Sequence, residues 1–399
     1  MRSTLAIEAA CFLAAIGLVG CAGAPTDVAD AVYRNGKIYT VDAAQPWVEA
    51  VAIKDGKFLV VGSNADVQAV TGDTTEVIEL GGRMAMPGLI DVHVHPLGVA
   101  NSWANLQIQN PTDAEAILEE VKAYAAANPD LPMIRGEAWN LGVFETDSPR
   151  KELLDEIVAD RPVYLQSQTG HSAWANSKAL EIAGITKDTP NGGKFVFDID
   201  DKTGEPSGTV REFAMGAVEQ ALPPTNPEAY APALKRVLDE FSSYGFTSLK
   251  VAEGAEAWVK GAGILESRGG LEMRLFPSWE WRSHYSPHTD AEQDELIASW
   301  HSFETDLISP RYVKMFYDGG IDSYTALLLE DYVGRPGFRG ASHQPKETML
   351  EKIAELNAQG IGVIVHVLGD GGGRELVDIF SQVRERNGDN GVPLHFSHA

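Results

Sequence analysis

Residues 87–96 read PGLIDVHVHP, and this stretch decides how the rest of the chain is read. An apolar run, opened by Met84-Ala85-Met86, ends in His93 and His95. In a strand, residues i and i+2 point to the same face. The two imidazoles therefore share a face and can hold one cation. A nearly continuous apolar run is the pattern of a strand covered on both sides, as in parallel sheets. Taken alone, a His-x-His pair also fits two ordinary surface or core histidines, so the surrounding pattern has to decide.

Working outward, residues 31–80 are strand-like and short. Asn35-Gly36 and Asp55-Gly56 each sit between apolar runs and predict two hairpins. Residues 28–86 are thus expected to form a small N-terminal β-sandwich unit. Beyond residue 87, strands alternate with helices. Helices are predicted over 112–129, with a Thr-x-x-Glu capping box, and over 235–245, stopped by glycine. Others are predicted over 346–360 and from Gly372 to Gly388. Strands are predicted over 246–253, 271–281, 311–320, 361–370 and 392–399. Repeated β-then-α units argue for a parallel sheet or barrel. The fold class is α/β, a (β/α)8 TIM-type barrel over 87–399, with six barrel-type strands present in this sequence.

In such barrels the chemistry sits at the C-terminal ends of the strands. His93 and His95 end the first strand, and Lys314 lies in the fourth, just before Asp318-Gly319-Gly320. His366 ends the fifth strand and His398 the sixth. Four histidines and one lysine converging on one mouth point to a metal site. Zinc takes imidazole and carboxylate ligands and keeps one position open for water in catalytic sites. A lysine ammonium has no lone pair to offer. Its neutral amine can add CO2, and the resulting carbamate can bridge two metals as a carboxylate would. A lysine buried in an ion pair, or one touching substrate, is the alternative. The Gly371-Gly372-Gly373 run is weak as a phosphate-loop signal and better explained by a tight strand-to-helix turn.

The 399 residues carry a net charge of −25. That balance disfavours nucleic acid and anionic lipid headgroups as partners. At the N-terminus, Arg2 precedes the apolar stretch CFLAAIGLVG, which ends at Cys21. It is too short for a permanent span and suits a secretory signal. Leu18-Val19-Gly20-Cys21 resembles the lipobox of bacterial lipoproteins, with residues 1–21 as the signal peptide; a plain signal peptide is the alternative. The lipobox implies acylation of Cys21 and export, with the chain anchored by lipid at the outer membrane or in the periplasm. Cys11 would leave with the leader, so core packing rather than a disulfide holds the mature chain together.

Five stretches together, MPGLIDVHVH, LQSQTGHSAWANSKAL (165–180), YVKMFYDGG, IVHVLGD and HFSHA, resemble the amidohydrolase superfamily. Within it they resemble the amidohydrolase-3 branch of N-substituted formamide deformylase-like proteins. The resemblance implies that His93, His95, His366, His398 and a carbamylated Lys314 hold one or two divalent ions, zinc by expectation. It implies that residues 100–225 form an insertion over the active site, and that C-terminal residues complete the N-terminal β unit. His171 and Trp174 match a family motif that lines the substrate pocket or is purely structural. Asp318 is expected beside the site as a substrate contact. The implied reaction is hydrolysis of a non-peptide C–N bond (amide, N-formyl or carbamate) in a small molecule by a metal-bound hydroxide. A mononuclear deaminase-like site and a non-catalytic lipid-anchored metal-binding protein are the competing readings. The superfamily's proton-handling aspartate ends an eighth strand. None is present here, so the catalytic residue is unknown, and the chain is expected to be an inactive fragment truncated after strand six.

Overall fold

Asp55 and Gly56 take φ values of 49° and 70°, the two positive values that a two-residue type I′ turn requires. The strands Ala50–Lys54 and Lys57–Gly62 pair antiparallel across them, with Lys54 opposite Lys57. This hairpin forms as the sequence indicates. The one expected at Asn35-Gly36 does not. Ala31–Arg34 pairs with Ala50–Lys54 and Glu76–Glu79, whereas Lys37–Tyr39 pairs with Trp47–Val48 and Met84–Ala85. The turn is a corner between two sheets. Glycine is needed there for room, because a Cβ on Gly36 would lie 2.3 Å from Cδ1 of Leu80. Leu80 packs with Ile38, Val48 and Val51, which join the two sheets. Ala29, Val32, Ala50, Ala52 and Val67 form a second small apolar cluster.

The computed structural model describes residues 27–108, 113–144, 148–168, 172–192, 195–283, 286–321 and 324–398. Cys11, Cys21 and His171 lie outside the described residues. The chain divides into two compact units between Pro87 and Gly88.

The second unit is a TIM-barrel-like α/β fold. Six strands lie parallel in chain order: β1 (Leu89–Val94), β2 (Phe246–Val251), β3 (Arg274–Phe276 and Ser278–Glu280), β4 (Tyr312–Phe316), β5 (Gly362–His366) and β6 (Leu394–Ser397). The expected single strand over 271–281 is broken at Pro277, which has no N–H to give to a ladder. Its first half pairs with β2 and its second with β4.

Alternation along the strands separates two environments. In β4, Val313 and Met315 pack outward into the large core, and Val363 and Val365 of β5 do the same. The helices Pro227–Ser243, Lys346–Ala358 and Asp370–Asn387 cover that face with Leu234, Val237, Leu238, Ile353, Leu356, Leu376 and Ile379. Each such side chain, fully buried, contributes about 1.5–3 kcal/mol of transfer free energy. The intervening residues, Lys314 and His366 among them, are left to face the barrel interior.

β1 departs from its expected burial on both faces. Leu89, Ile90 and Val92 are 42%, 63% and 59% exposed. Among the described residues the strand pairs only with β2.

Helix starts also differ from the sequence pattern. The helix expected over 112–129 is Ala114–Ala127, capped by the Asp113 carboxylate, which accepts from the Ala116 N–H. An aspartate cap also carries the charge that a helix N-terminus favours. The helix expected from 235 begins at Pro227 behind the cap Asn226, and carries Pro232 in its interior. Between β1 and β2 the chain builds a mixed six-stranded sheet from residues 106 to 212. Its core is Trp139, Trp174 and the apolar side chains around them.

Candidate active site

β1 delivers His93 and His95 at its C-terminal end. The Asp91 carboxylate accepts the His93 backbone N–H at 3.0 Å. His95 begins the helix Pro96–Trp103, with proline at its first position. The other two histidines arrive from across the barrel. Ring centroids of His93 and His398 are 4.7 Å apart, as are those of His366 and His398, and those of His93 and His95 are 5.3 Å apart. The four imidazoles form one row, His95–His93–His398–His366. Lys314 is only 1% exposed. Its ladder neighbours are Glu280 on β3 and Ile364 on β5. A cavity of about 350 Å³ is lined by His95, Lys314, His366 and His398 together with Ala252, Glu253, Glu280 and Phe316.

Burial sets the protonation of these groups. His93 is lowered to about 4 by burial, then by the neighbouring Lys314 charge. His366 is lowered to about 4 by burial, then by His398 and Lys314. His398 is lowered by the same means. Imidazoles shifted in this direction are neutral near pH 7 and keep a lone pair available. Burial also brings Lys314 down to about 8, towards its reactive free amine. Glu280 is raised to about 7, again by burial, against a hydrogen bond from Ser283 that favours the carboxylate. Three atoms here are buried without a hydrogen-bond partner: His93 Nε2, Lys314 Nζ and Glu280 Oε2.

Among the described residues, no three His, Cys, Asp or Glu side chains stand as a set able to hold a metal ion. Three of the imidazoles, those of His95, His366 and His398, share the cavity with Lys314. Neutral imidazoles and unpartnered buried nitrogens fit a divalent ion in their donor chemistry.

Residues 76–399 match the model of the amidohydrolase family. The chain belongs to the amidohydrolase family. It falls in the amidohydrolase-3 branch that the strand-one and Gly170–Leu180 motifs indicate. The amidohydrolase YtcJ of Bacillus subtilis is 30% identical over 374 residues, covering 92% of this chain and 68% of YtcJ. The N-substituted formamide deformylase of Arthrobacter pascens is 23% identical over 387 residues, covering 94% of this chain and 69% of the deformylase. Among solved structures, a metal-dependent hydrolase from Pyrococcus horikoshii superposes with a TM-score of 0.68 at 22% identity. That match covers 92% of this chain and 69% of the archaeal one, and it speaks to the fold.

Two residues expected to contact substrate in this amidohydrolase are placed elsewhere. Asp318 is fully buried, and its two oxygens accept the backbone N–H groups of Leu327, Leu368 and Gly369 at 2.8–3.0 Å. It ties two loops together and has no free face towards the cavity. Trp174 is fully buried in the insertion's core, against Trp139 and Phe144, and donates its indole N–H to the Arg150 carbonyl. Of the two readings of its motif, pocket lining or a structural role, this position of Trp174 matches the structural one. The glycine run is a close-packed turn. A Cβ on Gly369 or Gly371 would meet the Leu327–Leu328 backbone within 3 Å, and one on Gly372 would meet Asp318 at 2.7 Å.

Sequence reasoning missed two acidic residues of the cavity. Glu253 closes the second predicted strand. Its Oε1 accepts the Gly98 N–H at 2.7 Å, and its Oε2 lies 3.3 Å from His95 Nδ1. Glu280 closes β3. Looking for carboxylates as well as histidines at strand ends would have found both.

Proposed function

We propose that this cavity is a metal-dependent hydrolytic centre for non-peptide C–N bonds in small molecules of the amide, N-formyl or carbamate type. His93, His95, His366 and His398 would hold one or two divalent ions, zinc by the chemistry of the donor set, with carbamylated Lys314 bridging them. One observation carries the reading: four imidazoles line up beside a buried lysine whose amine has no partner. The relative that removes formyl groups from substituted formamides supports the substrate class. So does the cavity volume, which lies within the range of small-molecule sites, about 300–1,000 Å³.

When bound, such ions supply Lewis-acid polarisation of a carbonyl and an activated water. The chain's own residues do the rest. Burial keeps His93 and His366 unprotonated near neutral pH, so that their ring lone pairs are available to a cation. Glu253 sits against His95 Nδ1, which favours presenting Nε2 to the cavity, as carboxylates beside metal-binding histidines do. Phe316 adds an apolar wall.

The test is metal analysis joined to a hydrolase screen on amides, formamides and carbamates. The expected outcome is about two ions per chain, bicarbonate-dependent loading, and loss of both ions in Lys314→Ala. A short-chain carboxylic acid, standing in the carbamate's place, should restore part of the loading. One ion per chain, unaffected by Lys314→Ala, would favour a mononuclear deaminase-like centre instead.

A further inference from the structure

Six side-chain nitrogen and oxygen atoms among the described residues are buried without a hydrogen-bond partner. Three of them, in Arg135, Arg161 and Trp279, are N–H groups of residues that do not line the cavity, and both arginines bond through their other nitrogens. Of the other three, Lys314 Nζ and Glu280 Oε2 belong to residues that line one cavity, and His93 Nε2 belongs to a ring in contact with His95 and His398, which line it too. Glu280 thus carries the same mark as two residues already assigned to metal binding.

Its setting is built. β3 and β4 run parallel with Glu280 directly beside Lys314, so both side chains leave the sheet on the same face. Ser283 hydrogen-bonds the Glu280 carboxyl. The Ser283 backbone is in turn pinned by Gln293, a residue 2% exposed, which accepts its N–H and donates to its carbonyl. The carboxyl is therefore held, with one oxygen left bare. An ordinary cross-strand ion pair does not explain it, since no hydrogen bond joins Lys314 to Glu280. Carbamylation would also replace the lysine's positive charge with a negative one. The cavity wall would then hold three anionic groups, from Glu253, Glu280 and Lys314, with no arginine or second lysine among its lining residues. Buried charge of one sign is tolerated only beside a compensating cation.

We propose that Glu280 is a further ligand of the metal centre, presenting Oε2 on the Lys314 side. The inference rests on the cavity being a metal centre, and it adds a carboxylate to the ligand set that the family motifs supply. It also accounts for the bare oxygen, the anchoring serine and the uncompensated charge.

The experiment uses the full chain loaded with Co2+ in the presence of bicarbonate. Metal content, Co2+ affinity and the visible absorption of the bound ion are read in the wild type and in Glu280→Gln, Glu280→Asp, Ser283→Ala and Lys314→Ala. Glu280→Gln is expected to weaken Co2+ binding by at least about tenfold and to shift the visible bands, with Glu280→Asp in between. Ser283→Ala should shift the bands while keeping most of the metal. Melting temperatures give a second readout. Metal should raise the melting temperature of Glu280→Gln by less than it raises that of the wild type. A Glu280→Gln variant with wild-type affinity and spectrum overturns the proposal. So does weakened binding with an unchanged spectrum, which would mean that Glu280 acts only through Lys314. If Lys314→Ala also keeps its metal, the metal-centre reading itself fails. If Glu280→Gln does not fold, Glu280→Asp and Ser283→Ala decide the matter by the same bands.

Discussion

Two carboxylates of this barrel, each with a buried oxygen, have opposite fates. Asp318, in the loop after β4, is saturated: three backbone N–H groups converge on it, one from its own loop and two from the loop after β5. Glu280, at the end of β3, keeps one oxygen bare beside a lysine that is bare as well. Burial is common to both. The difference is whether backbone donors already neutralise the charge. A saturated carboxylate is architecture, and a buried unsaturated one is waiting for a cation.

The contrast breaks most sharply at Asp318. Asp318→Ala should strand three amide groups in the interior and cost about 3–5 kcal/mol, each unsatisfied buried group being worth about 1–3 kcal/mol. Chemical denaturation would read the loss, and the metal content of the folded fraction should be unchanged. A loss below about 1 kcal/mol would show that water satisfies those amides and that Asp318 is not the tie described. Gly372→Ala should act on the same tie at smaller scale. Its Cβ would fall 2.7 Å from Asp318 Oδ2 and 2.8 Å from Val367. Overpacking of this kind costs about 1–3 kcal/mol, and coupling to Asp318→Ala in a double-mutant cycle should be clear. Strict additivity of the two would separate the turn from the carboxylate. The smallest effect belongs to Trp174→Phe, which removes the indole N–H bond to Arg150 and some packing, for about 1–2 kcal/mol. Co2+ loading and its spectrum should be those of the wild type. A changed spectrum would return Trp174 to the site.

The histidines were legible because their placement follows from local rules. A period of two, an apolar run and a strand end are all visible in ten residues around His93. The same rule found Lys314, His366 and His398, and the β–α rhythm gave the order of the parallel strands. Asp318 and Glu280 could not be told apart this way. What saturates Asp318 is backbone from Leu327, Leu368 and Gly369, and no local pattern announces that those amides turn towards it. Trp174 shows the same limit. Its motif was read from resemblance, and whether an indole faces a pocket or a core depends on Trp139 and Phe144, which lie on other segments. Asn35-Gly36 and Asp55-Gly56 look alike as dipeptides, and only the pairing of the flanking strands makes one a hairpin and the other a corner.

The contact between His93 and His398 spans 305 positions of sequence (398 − 93). On a ribosome adding about 5–20 residues per second, the first of these rings waits roughly 15–60 s for the last to emerge. Even β1 must wait for β2, more than 150 residues later, before its backbone is paired on one side. Throughout that interval Ile90 and Val92 are carried on an unpaired strand, the condition in which nascent chains associate wrongly. The row of imidazoles therefore closes only once residue 398 has been made. The binding of a metal ion there would mark the moment at which β1 and β6 have come together.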